Sequence, residues 1–144
     1  MPLLNFPLSP DGLALSVMIG PHRGTMITLQ TSGQPVPPLV MARALVDTGT
    51  DASAVAPSVP ARLGLAPIRQ TTTQTTAGPL SVNVFEVSLS IPGPVFGQML
   101  TRQRHLVTEL PYPPPGVEAL IGLDVLSECL LIYDGPAKQF TLAF

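Results

Sequence analysis

Charge is scarce in this sequence. Only 11% of its 144 residues are Asp, Glu, Lys or Arg, against ~25% in ordinary soluble chains. The formal net charge is -2, and no basic run exceeds the short Arg102-Gln103-Arg104-His105 stretch. That argues against a nucleic-acid binder, which needs a basic patch to track phosphates. Cysteine is almost absent too. Cys129 stands alone, so no intrachain disulfide forms and an oxidising compartment is not required. No apolar run approaches the ~20 residues of a membrane span; Leu39 to Val46 is interrupted by Arg43. Met1 to Gly20 has no positive residue and carries Pro2, Pro7 and Pro10, which makes a poor signal peptide. The default expectation is a soluble cytoplasmic protein with no membrane partner. His22 and His105 lack metal-ligand spacing, so no metal site is expected.

What is present points to strands. Hydrophobic residues make up 45% of the chain, and 18 prolines and 12 glycines are scattered through it. Proline stops helices and punctuates strands, while Thr and Val suit them. The reading is a mostly-β, single domain over residues 1–144, a length typical of one domain. A chain with few charges and much apolar surface often hides some of it in an oligomer.

Along the chain, Leu13 to Ile19 and Thr25 to Thr31 read as a hairpin around Gly20 to Gly24. Leu39 to Val46 reads as a strand buried on both faces. Ser58 to Leu63 reads as a short helix with Ser58 as N-cap and Gly64 as its stop. Gln70 to Thr76 and Leu80 to Ile91 pair around Ala77-Gly78-Pro79, with the threonine hydroxyls facing outward. Strands are expected near Val95 to Leu100, at Arg104 to Thr108 and at Ala119 to Gly122. A helical turn should follow at Leu123 to Glu128. A final hairpin runs from Leu130 to Tyr133 and Gln139 to Phe144.

Two motifs carry chemistry. In Ala44-Leu45-Val46-Asp47-Thr48-Gly49-Thr50, apolar residues lead straight into one carboxylate, a small hydroxyl residue and glycine. A charged Asp is costly to bury without partners, so its placement makes sense if the charge is used. Taken alone, Asp-Thr-Gly is more simply an Asx turn ending a buried strand. About seventy residues downstream, within one domain's reach, stands Ala119-Leu120-Ile121-Gly122-Leu123-Asp124-Val125-Leu126. Taken alone, that is ordinary core.

Together the motifs resemble the retropepsin-like aspartic proteases, whose apolar Asp-Thr-Gly strand is followed, after a flap hairpin, by an apolar-apolar-Gly strand entering a short helix. The Gly122-Leu123-Asp124-Val125-Leu126 wording is most similar to single-domain bacterial members and to the protease domain of DNA-damage-inducible ubiquitin-shuttle proteins. The resemblance spans roughly residues 13 to 144, anchored at the two motifs. It implies an all-β fold, a small closed β-barrel with a flap hairpin and one or two short helices. It implies Asp47 as the catalytic aspartate, Thr48 bracing the two active-site loops across a dimer, and Gly49 meeting the substrate backbone. It further implies Asp51 helping to hold substrate, Ala77 and Gly78 at the flap tip, and Gly122 packed beneath the catalytic loop. The family needs no metal or cofactor. Two departures stand out: viral members carry Arg where this chain has Leu123, and the flap has Gly78-Pro79 rather than several glycines.

Hydrolysis in this family uses two carboxylates. None of the other eight, from Asp11 to Asp134, follows an apolar run and precedes Thr-Gly. A homodimer pairing Asp47 with its symmetry mate supplies the second. The function expected is an aspartic endopeptidase acting on an extended polypeptide, with a preference for apolar side chains because little charge is available to line a pocket. Asp124 is expected to face solvent or cap its helical turn. The alternatives are a catalytically inactive homodimeric peptide-binding module on the same fold, and an unrelated small β-barrel, monomeric, with a chance tripeptide.

Overall fold

A computed structural model describes residues 1–144. The chain begins with β1 (Leu3–Pro7), β2 (Ala14–Pro21), α1 (Arg23–Thr31), β3 (Val40–Val46), β4 (Ala54–Val55) and α2 (Ser58–Arg62). It continues with β5 (Arg69–Thr75), β6 (Gly78–Pro92), β7 (Met99–Glu109), β8 (Ala119–Ile121), α3 (Leu123–Leu126), β9 (Leu130–Asp134) and β10 (Gln139–Ala143).

Strands β2, β3, β8, β4, β7 and β6 are hydrogen-bonded in that order, and β6 returns to β2 through Met18↔Ser90 to Pro21↔Val87. The ring is therefore a closed six-stranded barrel. Closure leaves no edge within it open for unwanted pairing. Strand β5 hangs outside the ring on β6, forming a long hairpin over residues 69–84. A second sheet, β1-β10-β9, closes one end.

Alternation explains which side chains fill the barrel. In β3, Val40, Ala42, Ala44 and Val46 are buried, while Met41 is 54% exposed and Arg43 pairs with Asp11 at 2.8 Å. This strand is thus buried on one face only, not on two as its composition suggested. In β6, Val82 and Val84 are buried on one face, while Phe85, Val87, Leu89 and Ile91 are buried on the other and join the main core. Ile19, Leu89, Ile91, Ile121, Phe140 and Leu142 are among the fully buried side chains. Phe6 stacks on Phe140 at 5.1 Å, fastening the end sheet to the core.

In four places the local structure differs from the sequence reading. Residues 25–31 form a helix, not a strand. Thr, Met and Ile there favour a strand by composition, but β6 already occupies the edge of β2 that a hairpin partner would take. His22 caps the helix, its Nδ1 accepting from the Gly24 amide at 3.1 Å, and no residue of α1 is buried. The proline-rich entry is a true strand: β1 pairs with β10, and its two flanking prolines do not interrupt Leu3 to Phe6. The strand expected at 95–100 is mostly the turn between β6 and β7, and residues 99–109, including the strand expected at 104–108, form the single strand β7, with an irregularity opposite Val87 to Leu89. In α2 the N-cap is Pro57 rather than Ser58, with no side-chain cap. The last hairpin closes around Asp134, which accepts from the Ala137 amide at 2.9 Å.

Candidate active site

The strand carrying Asp47 is pinned before the carboxylate is reached. β3 runs parallel to β8, with Ala44, Leu45 and Val46 opposite Ala119, Leu120 and Ile121. The Asp47 amide donates to the Ile121 carbonyl at 2.9 Å, which fixes the backbone where β3 ends. The chain then turns sharply. The Gly49 amide donates to Asp47 Oδ1 at 2.8 Å, an Asx turn of the kind the tripeptide suggests. The turn does not consume the carboxylate: Oδ2 has no partner within the protomer. One oxygen is oriented and the other is open.

Beneath this loop lies Gly122, buried, with a backbone that leaves no room for a side chain. A Cβ there would meet the Thr50 carbonyl oxygen and the Ala52 carbonyl carbon at 2.9 Å each. These are backbone atoms and cannot swing aside. The close approach lets the Leu123 amide donate to the Thr50 carbonyl at 2.9 Å and the Asp124 amide to the Asp51 carbonyl at 3.1 Å.

A polar cluster completes the brace, and the sequence reading missed it. Asp124 is not a solvent-facing residue. Its Oδ1 accepts from the Ser53 hydroxyl at 2.7 Å, and its Oδ2 accepts from the Ser53 amide at 2.9 Å. His105 Nε2 lies 2.9 Å from the same Oδ2. The Gly122 amide in turn donates to the Ser53 hydroxyl at 3.0 Å. Burial by itself would raise the Asp124 pKa, but bonds from His105 and from the Ser53 amide and hydroxyl outweigh it and hold the carboxyl below its ordinary value. Where viral members place an Arg, Leu123 is 41% exposed; the loop is instead held from below through Ser53 and Asp124.

Above the loop, the β5–β6 hairpin roofs a cleft of about 450 Å³. Asp47, Gly49 and Thr50 form its floor. Thr73, Gln74, Thr75 and Thr76 form its roof. Alternation along β5 leaves Thr72 and Gln74 exposed and half-buries Thr71, Thr73 and Thr75. The hydroxyls are thus not all outward, since Thr73 and Thr75 line the cleft. At the tip, Thr75 Oγ1 donates to the Gly78 carbonyl at 2.7 Å and accepts from the Ala77 amide at 3.2 Å. Gly78 has φ +111°, a conformation that only glycine adopts readily.

Asp47 and Gly49 thus meet in the cleft, and Thr48 is exposed beside them. Asp51 is exposed and does not line the cleft, and Ala77 and Gly78 sit at the hairpin turn beyond its lining. Cys129 stays apart: burial pushes its thiol pKa up, and its Sγ contacts the Val125 carbonyl. No group of three or more His, Cys, Asp or Glu side chains is placed to hold a metal ion. No helix is long and apolar enough to cross a membrane.

No protein-family model matches the sequence, and no curated protein does either. Solved structures do match, and they define the class: the chain has the fold of the retropepsin-like aspartic proteases, an all-β closed barrel with short helices. It is similar to a retropepsin-like aspartic protease from Rickettsia conorii over 98% of this chain and 90% of that one. The TM-score is 0.59 at 14% identity. It is also similar to the retroviral protease-like domain of Ddi1 from Leishmania major, over 90% and 88% of the two chains, with a TM-score of 0.47 at 15% identity. The simian foamy virus protease matches over 79% and 91%, with a TM-score of 0.45 at 16% identity.

Proposed function

We propose that the protein is an aspartic endopeptidase active as a homodimer, with Asp47 of each protomer forming the catalytic pair. One observation carries this reading. Asp47 stands on the floor of a roofed cleft with one oxygen oriented by the Gly49 amide and the other unpartnered. The fold fits, and peptide-hydrolysing relatives share it.

A single chain holds half of the needed chemistry. Asp11, Glu86, Glu118, Asp124 and Glu128 are each paired with Arg or His. Asp134 is engaged in its turn, Asp51 does not line the cleft, and Glu109, which shares the cleft with Asp47, is tethered to the Asn83 amide. A two-fold axis beside the Asp47 loop brings the second carboxylate from an identical copy. Two carboxylates in contact cannot both ionise, so one proton is shared between them, and aspartic proteases are the standard case of this splitting. The ionised Asp removes a proton from a bound water, which attacks the substrate carbonyl carbon. The protonated Asp gives its proton to the carbonyl oxygen, and a tetrahedral diol results. Proton transfer to the amide nitrogen then expels the amine. Thr48 is exposed, and in this reading its hydroxyl bonds across the axis. The substrate lies extended between floor and flap, gripped by backbone hydrogen bonds, with Gly49 among the floor residues.

The test is cleavage of a diverse peptide mixture between about pH 3 and 7, the range in which carboxylates exchange protons. Wild type should cut and Asp47→Asn should not, while both keep the same fold by circular dichroism. Equal cutting by both would reject Asp47 as the catalytic group. No cutting by either at concentrations where the protein is dimeric, with peptides still bound, would leave a binding module on this fold.

A further inference from the structure

The cleft is polar in a lopsided way. Besides Asp47 its lining includes a second carboxylate, Glu109, and no Arg, Lys or His. Four of the arginines, Arg43, Arg62, Arg102 and Arg104, are committed to Asp11, Glu118, Glu128 and Glu86. Arg23 bonds Gln103 on the outside of the barrel. Arg69 and Lys138 lie outside the cleft lining, and Glu109 forms no salt bridge within the chain.

The position of Glu109 follows from the sheet. β7 leaves β6 after the Thr108↔Val84 pair and joins β4, where Glu109 lies opposite Val55. The Asn83 amide, next along β6, therefore has no β7 carbonyl to meet. It donates to Glu109 Oε2 at 3.2 Å instead. This bond tethers the side chain by one oxygen at the wall of the cleft and leaves Oε1 without a partner in the chain. A half-buried carboxylate with no cation beside it is an uncompensated charge, which a matching ligand relieves.

The rest of the wall suits a particular ligand. Ala54 and Leu120 offer an apolar strip, while Thr73, Thr75 and Thr108 offer hydroxyls. A side chain with a long alkyl stem and a cationic head matches both surfaces at once. We propose that Glu109 makes this cleft select a Lys or Arg side chain in the substrate, close to the bond that is cut. The apolar preference expected from the scarcity of charge is therefore replaced, because one unneutralised carboxylate is enough. In the two-fold dimer the selection operates on both sides of the cut. The inference rests on the aspartic-protease reading of the cleft.

Binding separates the two. The Asp47→Asn protein, which holds peptides without cutting them, is titrated with a positional-scanning peptide pool. Each position is fixed in turn as lysine, arginine, norleucine or glutamate. At one position the lysine and arginine pools should bind about fivefold tighter than norleucine, the yield of a partly exposed ion pair. Adding Glu109→Gln should erase that ratio; its amide oxygen can still accept from Asn83, and an unchanged melting temperature checks the fold. Glu109→Lys should shift the preference to glutamate. High salt should shrink the advantage in the parent protein. Equal binding of the lysine and norleucine pools overturns the proposal. So does a preference that survives Glu109→Gln, or no measurable binding of any pool. If wild type fails to cut but selective binding persists, catalysis fails and Glu109 selectivity stands. If wild type cuts without a basic preference, selectivity alone fails.

Discussion

Asp124 shows how one side chain can hold a loop that it does not belong to. Its carboxylate satisfies the Ser53 amide, the Ser53 hydroxyl and His105 together. Removing it by Asp124→Ala strands all three, and hydrogen bonds to a charged group are worth more than neutral ones. The expected loss of stability is roughly 2 kcal/mol, read by urea denaturation. Cleavage should fall further than the folded fraction does, because the loop that carries Asp47 loses its support. The pH dependence has a definite sign. The folded-state pKa of Asp124 is lowered, so its stabilisation is fully present above the unfolded value of about 4. It is lost as pH falls through the lower folded value. Comparing wild type with Asp124→Asn by thermal melts should show a constant difference above about pH 4 that shrinks below it. The brace therefore holds across most of the acid range in which a carboxylate pair works.

Gly122 makes the complementary point, because there the absent side chain matters. Gly122→Ala forces backbone apart at Thr50 and Ala52. Overpacking of this kind costs roughly 1–3 kcal/mol. Because the displaced atoms belong to the Asp47–Ser53 loop, kcat should fall at least as much as stability, and a thermal melt alongside the peptide assay reads both. An alanine with an unchanged melting temperature and full activity would show that the loop is softer than its contacts imply.

At the scale of elements, the β5–β6 hairpin is the part of the large sheet held least by the barrel. β5 lies outside the barrel ring and pairs with β6 alone. Gly78→Ala meets no neighbour, so its cost is conformational only, from φ +111°, and comes to about 1 kcal/mol. The strain should be absorbed by fraying of the tip. Amide exchange over residues 69–84 should quicken while the global melting temperature changes by only a few degrees.

The same scale shows what pattern alone could reveal. The apolar strand ending at Asp47, the flap turn (read at 77–79 and found at 76–77), the strand entering Gly122 and the last hairpin were legible, because alternation and turn residues are local signals. Helix α1 was not, since its Thr and Ile residues favour a strand and only the prior claim of β6 on β2 rules one out. Strand β1 was hidden by its prolines, because its partner lies at the opposite end of the chain. The Ser53–Asp124–His105 cluster joins a loop, a short helix and a strand. No spacing rule links those three, so the helical-turn position of Asp124 read as solvent-facing or as a cap of its own turn. Glu109 was unremarkable in sequence for a related reason: its neighbour Asn83 and the departure of β7 toward β4 exist only after folding.

For the whole molecule, the proposed catalytic pair takes one Asp47 from each of two copies of the chain. That makes activity depend on pairing rather than on the chain alone, so specific activity should fall on dilution below the dimer dissociation constant. A mixing experiment probes the pair more directly than dilution, because wild-type concentration stays fixed while the total only rises, so a fall in activity cannot come from dissociation. Wild type and Asp47→Asn are unfolded together, refolded and assayed at constant wild-type amount. If each dimer needs both carboxylates, a heterodimer is dead, and random pairing at equal amounts leaves about half of the wild-type activity. A roughly ninefold excess of the mutant should leave about a tenth. If one Asp47 per cleft sufficed, activity would rise, by about half at equal amounts, since each heterodimer would add a working cleft. If the protein worked as a monomer the result would be flat, and sedimentation at the assay concentration would then show a single chain. A poisoning curve that follows the wild-type fraction, joined to a dimer in sedimentation, is the outcome that a shared dyad requires and that neither alternative produces.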